Sequence, residues 1–339
     1  MRILLDGMGG DNAPAEIVKG AVEALAESNL EITIIGKEDE IYAQLEKYEY
    51  DSQRLSVVNA TQIIENDDSP VKAVRRKQDS SMVKGLNMLK EGKGDVMVSA
   101  GNTGAYMAGA LLILGRIPGI ERPAIASIYP IVGGETCLIV DAGANSECRP
   151  RNLLEFGIMG SLYMEKVMSR RRARVGLVNL GVEENKGTAL TKEAFVLLKD
   201  SSLNFVGNVE AREVPKGAAD VIVCDGFTGN VILKLSEGFA MNLLKNIKKK
   251  LTEGATTRVG ALLVRNKLRE LTKDFNYEEE GGAPILGVNG HVIKMHGSSG
   301  SYAVKNAILK SAVFAQQNVV EQITSAMEGV ESAKQAEEV

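Results

Sequence analysis

The chain has 339 residues, 44% of them hydrophobic and 25% charged, with a formal net charge of −4. This length suits one large α/β domain or two modest ones, and the net charge provides no general attraction to nucleic acid. Asp6 interrupts the first apolar run, which argues against a signal peptide, and no stretch approaches the roughly 20 apolar residues of a membrane span. Three cysteines cannot form a framework of paired disulfides, which indicates a reducing compartment. A cytoplasmic protein is therefore expected.

Short β-rich runs alternate with helical patterns along the chain, which favours an α/β fold with a mostly parallel sheet covered by helices. A first strand is predicted at 3–6 and a helix at 14–26. Further strands are predicted at 31–35, 55–59, 95–99, 136–141, 175–179, 204–207 and 220–225, with helices in most of the intervals.

Four times, an apolar run passes into a glycine-rich polar loop that precedes a helical pattern. The four segments read ILLDGMGGDNAP, VMVSAGNTGAYMAGALL, LIVDAGANSECRPRNLL and VIVCDGFTGNVILKL. In an open α/β sheet such loops lie at the carboxyl ends of strands, where ligands usually bind. The four loops are therefore expected to converge on one cleft.

These loops carry the chemistry of an anion site. Backbone N–H groups at a helix N-terminus attract anions, and glycine lets a phosphate approach them closely. The segments 99–104, 141–146 and 225–230 also supply hydroxyl and amide groups. The alternative for any single loop is that Ser99, Asp141 or Asp225 only ends a strand or caps a helix.

Common cofactor and metal motifs are absent from the sequence. The segment 7–12 has Asn12 where a dinucleotide fingerprint needs its third glycine, and no phosphate-binding loop of the nucleoside triphosphatase type occurs. His291 and His296 are the only histidines, and their spacing of five places them on different faces of a helix, so the sequence gives little support for a metal site. His296 precedes the last helical patterns in a Gly/Ser loop and is a candidate for a functional role.

The segment 238–273 differs from the rest of the chain. Apolar residues at helical spacing alternate there with lysines and arginines, which predicts a protruding helical hairpin. Core or dimer packing is one interpretation of its apolar residues. Residues 1–324, which include this hairpin, are predicted to form one domain, followed by a small, charged and frayed tail at 325–339.

At these loops, the sequence resembles the bacterial phosphate acyltransferases of phospholipid synthesis, the PlsX family. The resemblance runs from DGMGGDNAP to MHGSS through KQDSSM, VSAGNTGAYMA, LGRIPGIERPA, DAGAN, NLGVEENKG, FVGNVEAREV, VCDGFTGNVILK and GGAPILGV. The usual family form has Ala at position 7 and often His at position 12, where this chain has Gly7 and Asn12. A role for a histidine at position 12 therefore does not carry over.

The resemblance implies a three-layer α/β/α sandwich with a mixed sheet, similar to isocitrate and isopropylmalate dehydrogenases and to phosphotransacetylases, and a homodimer. It also implies transfer of a long-chain acyl group from acyl carrier protein to inorganic phosphate, without cofactor or metal. The acyl phosphate then feeds a membrane glycerol-3-phosphate acyltransferase.

Under this resemblance the loop residues receive provisional roles. Lys186 is the first choice for the countercharge to phosphate, and Asp11, His296 and Asn230 are candidates for orienting groups or moving a proton. The predicted phosphate and substrate contacts are Gly9, Gly10, Ser99, Gly101, Asn102, Thr103, Gly104, Arg116, Asp141, Gly143, Asn145, Asp225 and Lys234.

A membrane contact is predicted at Leu262, Leu263 and Val264, where the neighbouring Arg265, Lys267 and Arg269 can meet anionic lipid. Two other functions stay open at this point. One is a short-chain phosphotransacetylase that uses coenzyme A thioesters, and the other is a noncatalytic scaffold for the carrier protein or the membrane.

Overall fold

The computed structural model describes residues 1–254, 257, 260–262, 264–266, 279 and 281–337. The strands are β1 Arg2–Asp6, β2 Glu31–Gly36, β3 Leu55–Asn59, β4 Val96–Ser99, β5 Ala124–Pro130, β6 Thr136–Val140, β7 Arg174–Asn179, β8 Asn204–Glu210, β9 Val221–Val223, β10 Ala283–Leu286 and β11 His291–Lys294. The α-helices are α1 Ala15–Glu27, α2 Glu38–Leu45, α3 Pro70–Arg76, α4 Ser81–Lys90, α5 Thr103–Gly109, α6 Pro150–Lys166, α7 Ala189–Lys199, α8 Gly226–Thr252, α9 Ser301–Gln316 and α10 Val319–Glu337.

All the strands form one 11-stranded sheet in the order β3-β2-β1-β4-β11-β10-β5-β6-β9-β7-β8. The pairings of β10 with β11 and of β5 with β10 and β6 are antiparallel, and the others are parallel. As a consequence, β1 to β4 and β11 run in one direction, whereas β6 to β9 run in the other. The carboxyl ends of the two parallel halves therefore lie at opposite edges of the sheet.

Helices cover both faces of the sheet because its strands are apolar on both sides. In β1, Ile3 and Leu5 belong to one core, with residues of α1, α6, α7 and α9, whereas Leu4 belongs to another, with residues of α3, α4 and α5. This alternation is the period-2 pattern of a strand buried on both faces. The predicted three-layer sandwich with a mixed, mostly parallel sheet is confirmed.

Helix α8 begins earlier than predicted. The predicted loop at 225–230 is the start of α8, which continues without a break through Gly238 to Thr252, so the helix predicted from 238 begins twelve residues earlier. Helix α10 ends at Glu337, and its residue Met327 is buried in the core. Fraying of the tail beyond Met327 stays a prediction.

The second half of the predicted hairpin is described only in part. Residues 260–262 and 264–266 are helical, whereas 255–256, 258–259, 263 and 267–273 lie outside the described residues. Within the part of the chain that the structure describes, no helix combines the length and the apolar character required to cross a bilayer.

Candidate active site

A cleft of about 700 Å³ lies over the antiparallel middle of the sheet, between β5 and α8. We call it the central cleft. Its apolar lining includes Ile125, Ile128, Tyr129, Leu233, Phe239 and Ala240. Its polar lining includes Thr103, Gly143, Asn230, Lys234, Glu237, Lys294, His296 and Ser299.

Helix α8 is held across β5 by contacts that its sequence permits. The hydroxyl oxygens of Tyr129 and Ser236 lie 2.9 Å apart, which ties the helix to the strand. A Cβ atom added to Gly229 would lie 1.9 Å from the backbone oxygen of Asp141. Only glycine therefore allows the first turn of α8 to pack against the loop after β6 and to bring Asn230 into the cleft.

The four glycine-rich loops do not all meet in this cleft, contrary to the expectation. Thr103, Gly143 and Asn230 bring three of them to its wall, while none of the residues 7–14 lines it. The loop after β1 is left out because it packs behind the loop after β4, with Gly9 against Gly101 and Gly10 against Ala100. The reversal of strand direction at β10 and β5 places the loop after β4 at one edge and the loops after β6 and β9 at the other. The cleft forms between the edges, over the face of the sheet.

The loop after β1 supports the loop after β4 from behind. The buried Asp6 carboxylate accepts a hydrogen bond of 2.6 Å from the Ser99 hydroxyl, whose oxygen accepts one of 3.0 Å from the Gly101 backbone N–H. Gly9 packs so closely that an added Cβ would lie 2.5 Å from Asp6 Oδ2 and 2.6 Å from the Gly101 nitrogen. Gly10 has φ +100° and lies against Ala100. These residues shape the loops and do not line the cleft.

The Asp141 carboxylate accepts the hydrogen bonds that the backbone N–H groups of its own loop donate. Its carboxylate accepts hydrogen bonds of 2.7–3.1 Å from the backbone N–H groups of Ile125, Gly143, Ala144 and Asn145, and one of 2.9 Å from the Asn145 side chain. Burial raises the pKa of Asp141, and the hydrogen bonds from the Ala144, Asn145 and Gly143 backbone N–H groups and from the Asn145 side chain oppose that shift. The anion that this loop binds is therefore its own aspartate.

Asn102 and Asp225 are helix caps, and for Asp225 this is the alternative that the sequence left open. Asn102 Oδ1 accepts from the Ala105 N–H at 2.9 Å at the start of α5. Asp225 accepts from the Thr228 N–H at 2.9 Å and from the Thr228 hydroxyl at 2.8 Å at the start of α8. Neither residue lines the central cleft, and Gly104 does not line it either.

Lys294, which was not among the predicted site residues, is the buried cation of the cleft. It ends β11, is 8% exposed, and donates hydrogen bonds to the backbone oxygens of Ala100, at 3.2 Å, and Met295. Burial lowers the pKa of Lys294 to about 8, and the nearby Asp6 and Asp11 carboxylates oppose that shift. Lys234 is the other cation among the described lining residues, on the exposed side of α8.

His296 lines the cleft beside Lys294 in the loop that follows β11. Its Nδ1 lies 2.8 Å from the Ser298 hydroxyl oxygen, and this contact orients the ring. Asp11 holds the same loop from behind, since its backbone N–H donates to the Gly297 oxygen at 2.8 Å. The carboxylate of Asp11 accepts from the Asn66 side chain at 3.2 Å and does not line the cleft.

Three other predicted residues lie elsewhere. Lys186 lies in the loop between β7 and α7 and is not among the residues that line the central cleft. Arg116 and Asn145 line a second cleft, near the end of β6.

In the segment predicted to touch a membrane, Leu262 is 69% exposed and Val264 is 45% exposed, while Leu263 lies outside the described residues.

The cysteines are poor nucleophiles. Burial, reinforced by the Asp141 and Asp225 carboxylates, raises the pKa of Cys148 to about 12, and burial raises that of Cys137 to about 12. Cys224 is buried, and burial raises its pKa well above that of a free thiol. Within the described residues, no three His, Cys, Asp or Glu side chains gather as metal ligands. The central cleft offers hydrogen-bond donors and the buried ammonium group of Lys294 to a substrate.

The chain matches a family model described as fatty acid synthesis protein over residues 1–322. A phosphate acyltransferase from Alkaliphilus oremlandii is 52% identical over 332 residues, which cover 98% of both chains. A phosphate acyltransferase from Clostridioides difficile is 49% identical and covers 95% of both chains. In fold, the chain is similar to a phosphotransacetylase from Streptococcus pyogenes, with a TM-score of 0.65, 18% identity and 94% of both chains covered.

Proposed function

The chain belongs to the fatty acid synthesis protein family, and we propose that it transfers a long-chain acyl group from acyl carrier protein to inorganic phosphate. The product is an acyl phosphate for phospholipid synthesis. The observation that carries this proposal is the central cleft, because it combines an apolar lining with the buried ammonium group of Lys294. The acyl chain lies along β5 and α8, and phosphate lies beside Lys294.

The reaction needs no nucleophile from the protein. A phosphate oxygen attacks the thioester carbonyl carbon, a tetrahedral intermediate forms, and the carbon–sulfur bond then breaks. The electron pair leaves on the sulfur, and the thiolate takes a proton from solvent. Because a free thiol has a pKa of about 8.5, it leaves without a strong general acid. The protein must hold phosphate within about 3–3.5 Å of the carbonyl carbon and stabilise the negative charge.

The polar lining residues divide this work. The Lys294 ammonium group has three N–H donors, and two of them hold the backbone oxygens of Ala100 and Met295. Its charge and remaining donor hold the phosphate. The Thr103 hydroxyl and the Asn230 amide donate to the phosphate or to the developing oxyanion, and His296 orients the phosphate. A direct role for Lys186 in binding phosphate stays a prediction.

The test of this function is a series of saturated acyl groups, from acetyl to palmitoyl, carried on acyl carrier protein and on coenzyme A. Each buried methylene contributes about 0.8 kcal/mol, so kcat/KM is expected to rise up to about fourfold per methylene until the apolar lining is filled. The expected best substrate is a long-chain acyl–carrier protein. A preference for acetyl–coenzyme A would instead support a short-chain phosphotransacetylase.

We also propose a homodimer that works in the cytoplasm at the inner surface of the cell membrane. Phe227, Val231 and Leu235 are 67%, 46% and 70% exposed at i, i+4 and i+8 on α8, and this apolar stripe suits a seam between two copies. At the membrane, the acyl phosphate passes to a glycerol-3-phosphate acyltransferase without crossing bulk water.

The Leu262→Glu, Val264→Glu double variant tests the membrane contact. Both side chains are exposed, and glutamate replaces apolar contact with repulsion from anionic lipid. We expect cosedimentation with phosphatidylglycerol vesicles to be lost, while turnover of soluble acyl–carrier protein is retained. The matched control is Val206→Glu, since Val206 is 45% exposed on β8, at the far edge of the sheet. Unchanged cosedimentation of the double variant would rule out this contact.

A further inference from the structure

A second cleft of about 700 Å³ lies where β6 ends and α6 begins. Three arginines surround it: Arg116, Arg122 and Arg149. We call it the arginine cleft. Its other polar lining residues are Glu121, Asn145, Glu147 and Asn152.

The three guanidinium groups have no carboxylate partner among the described residues. Arg116 donates to the backbone oxygen of Glu121 at 2.6 Å, and all three arginines are exposed. The Glu121 carboxylate instead accepts from the Asn152 side chain at 3.0 Å and lies 3.7 Å from Arg151 Nε. Glu121 and Glu147 also line the cleft, so the three arginines leave it with a net positive charge, and a planar fork of N–H donors matches a phosphate group in particular.

The arginine cleft adjoins the central cleft. Gly143 lines one and the next residue, Ala144, lines the other. On α5, Thr103 lines the central cleft and Met107 lines the arginine cleft, a separation of about 6 Å along the helix axis. A ligand that reaches the thioester site from the arginine cleft therefore crosses about one turn of helix.

We propose that the arginine cleft binds the phosphodiester of the phosphopantetheine arm through which acyl carrier protein presents its thioester. This inference rests on the proposed function. The arm enters the central cleft with its sulfur end, so its phosphodiester stays outside, on the side from which it entered. Inorganic phosphate fits the arginine cleft less well, because the nucleophile must lie within about 3–3.5 Å of the acyl carbon, beside Lys294.

The test compares two acyl donors, palmitoyl–acyl carrier protein and palmitoyl-pantetheine, which lacks the phosphodiester. Arg122→Met and Arg149→Met, alone and together, keep most of the side-chain volume and remove the charge. We expect each single change to raise KM for palmitoyl–acyl carrier protein about tenfold, because a charged hydrogen bond is lost. KM for palmitoyl-pantetheine and KM for inorganic phosphate are expected to stay within about twofold of the unmodified protein.

The matched control is Arg171→Met, since Arg171 is exposed between α6 and β7 and lines neither cleft. A rise in KM for inorganic phosphate with both donors would mean that the arginines bind the nucleophile, and would overturn the proposal. An equal rise in KM for both donors, or no rise at all, would overturn it as well. Failure of the proposed function itself is distinct, because the unmodified protein would then form no acyl phosphate from either donor.

Discussion

Lys294→Met is expected to lower kcat/KM for acyl transfer by about two to three orders of magnitude. Lys294 is the buried cation of the central cleft, and the transition state gathers negative charge from phosphate and from the thioester oxygen. A cation held in a site with little water stabilises that charge more than an exposed one does. Methionine has a similar volume but cannot donate, so the loss should appear in kcat and in KM for phosphate.

The pH dependence of the reaction provides a second readout of Lys294. Burial lowers the pKa of this lysine to about 8, and the charged form exists below that pH. Activity is therefore expected to fall as pH rises through about 8. In Lys294→Arg, whose guanidinium stays charged, any residual activity should lack this fall.

Two controls separate this role from a structural one. Lys294→Met also loses the hydrogen bonds to Ala100 and Met295, so its melting temperature is measured beside that of the unmodified protein. Lys186→Ala, made in parallel, decides between the two lysines. A large rise in KM for phosphate in Lys186→Ala, with Lys294→Met unchanged, would contradict the role of Lys294.

Asp141→Ala is expected to lower the free energy of unfolding by about 3 kcal/mol or more. The substitution leaves the backbone N–H groups of Ile125, Gly143, Ala144 and Asn145 without their acceptor. Part of this loss is offset because a buried carboxylate, whose pKa is raised by burial, is removed. Urea unfolding followed by circular dichroism measures the difference.

Asp225→Ala is the matched comparison for Asp141→Ala, because it removes a carboxylate from a neighbouring loop that only caps a helix. It should cost about 1 kcal/mol. If Asp141→Ala were no less stable than Asp225→Ala, and its KM for phosphate rose sharply, Asp141 would be a phosphate ligand, as the sequence first suggested.

The periodicity and apolar character of the sequence predicted the outer strands of the sheet well. The segment 55–59 coincides with β3, and 31–35 and 175–179 differ from β2 and β7 by one residue. Strands β5, β10 and β11 were missed. Gly281, Gly282 and Pro284 stand before and within β10, and Gly287 and Gly290 separate it from β11, so this part of the sequence has the composition of a loop.

These three missed strands also explain why the site was only partly predicted. They carry the antiparallel pairings that reverse the sheet, and no single loop motif contains that information. Thr103, Asn230, Lys234 and His296 were chosen for their chemistry and do line the central cleft. The sequence feature that indicates Lys294 is a lysine within the apolar run HVIKM, two residues before His296, because lysine is rarely buried unless it is paired.

The loop aspartates show where residue chemistry alone is ambiguous. An aspartate in a glycine-rich turn both suits a ligand site and satisfies the N–H groups of the turn itself. Asp141 and Asp225 do the second, and only the hydrogen-bond partners distinguish the two roles. An aspartate in such a loop can therefore itself be the anion that the backbone N–H groups bind.

The most direct measurement incubates the purified protein with palmitoyl–acyl carrier protein and inorganic phosphate, follows free thiol, and traps acyl phosphate with hydroxylamine. Thiol and hydroxamate should appear in equal amounts and only when phosphate is present. Thiol release without hydroxamate would mean that water, and not phosphate, is the acceptor. Release of neither product by the folded protein, with palmitoyl–acyl carrier protein or with palmitoyl–coenzyme A, would contradict acyl transfer to phosphate altogether.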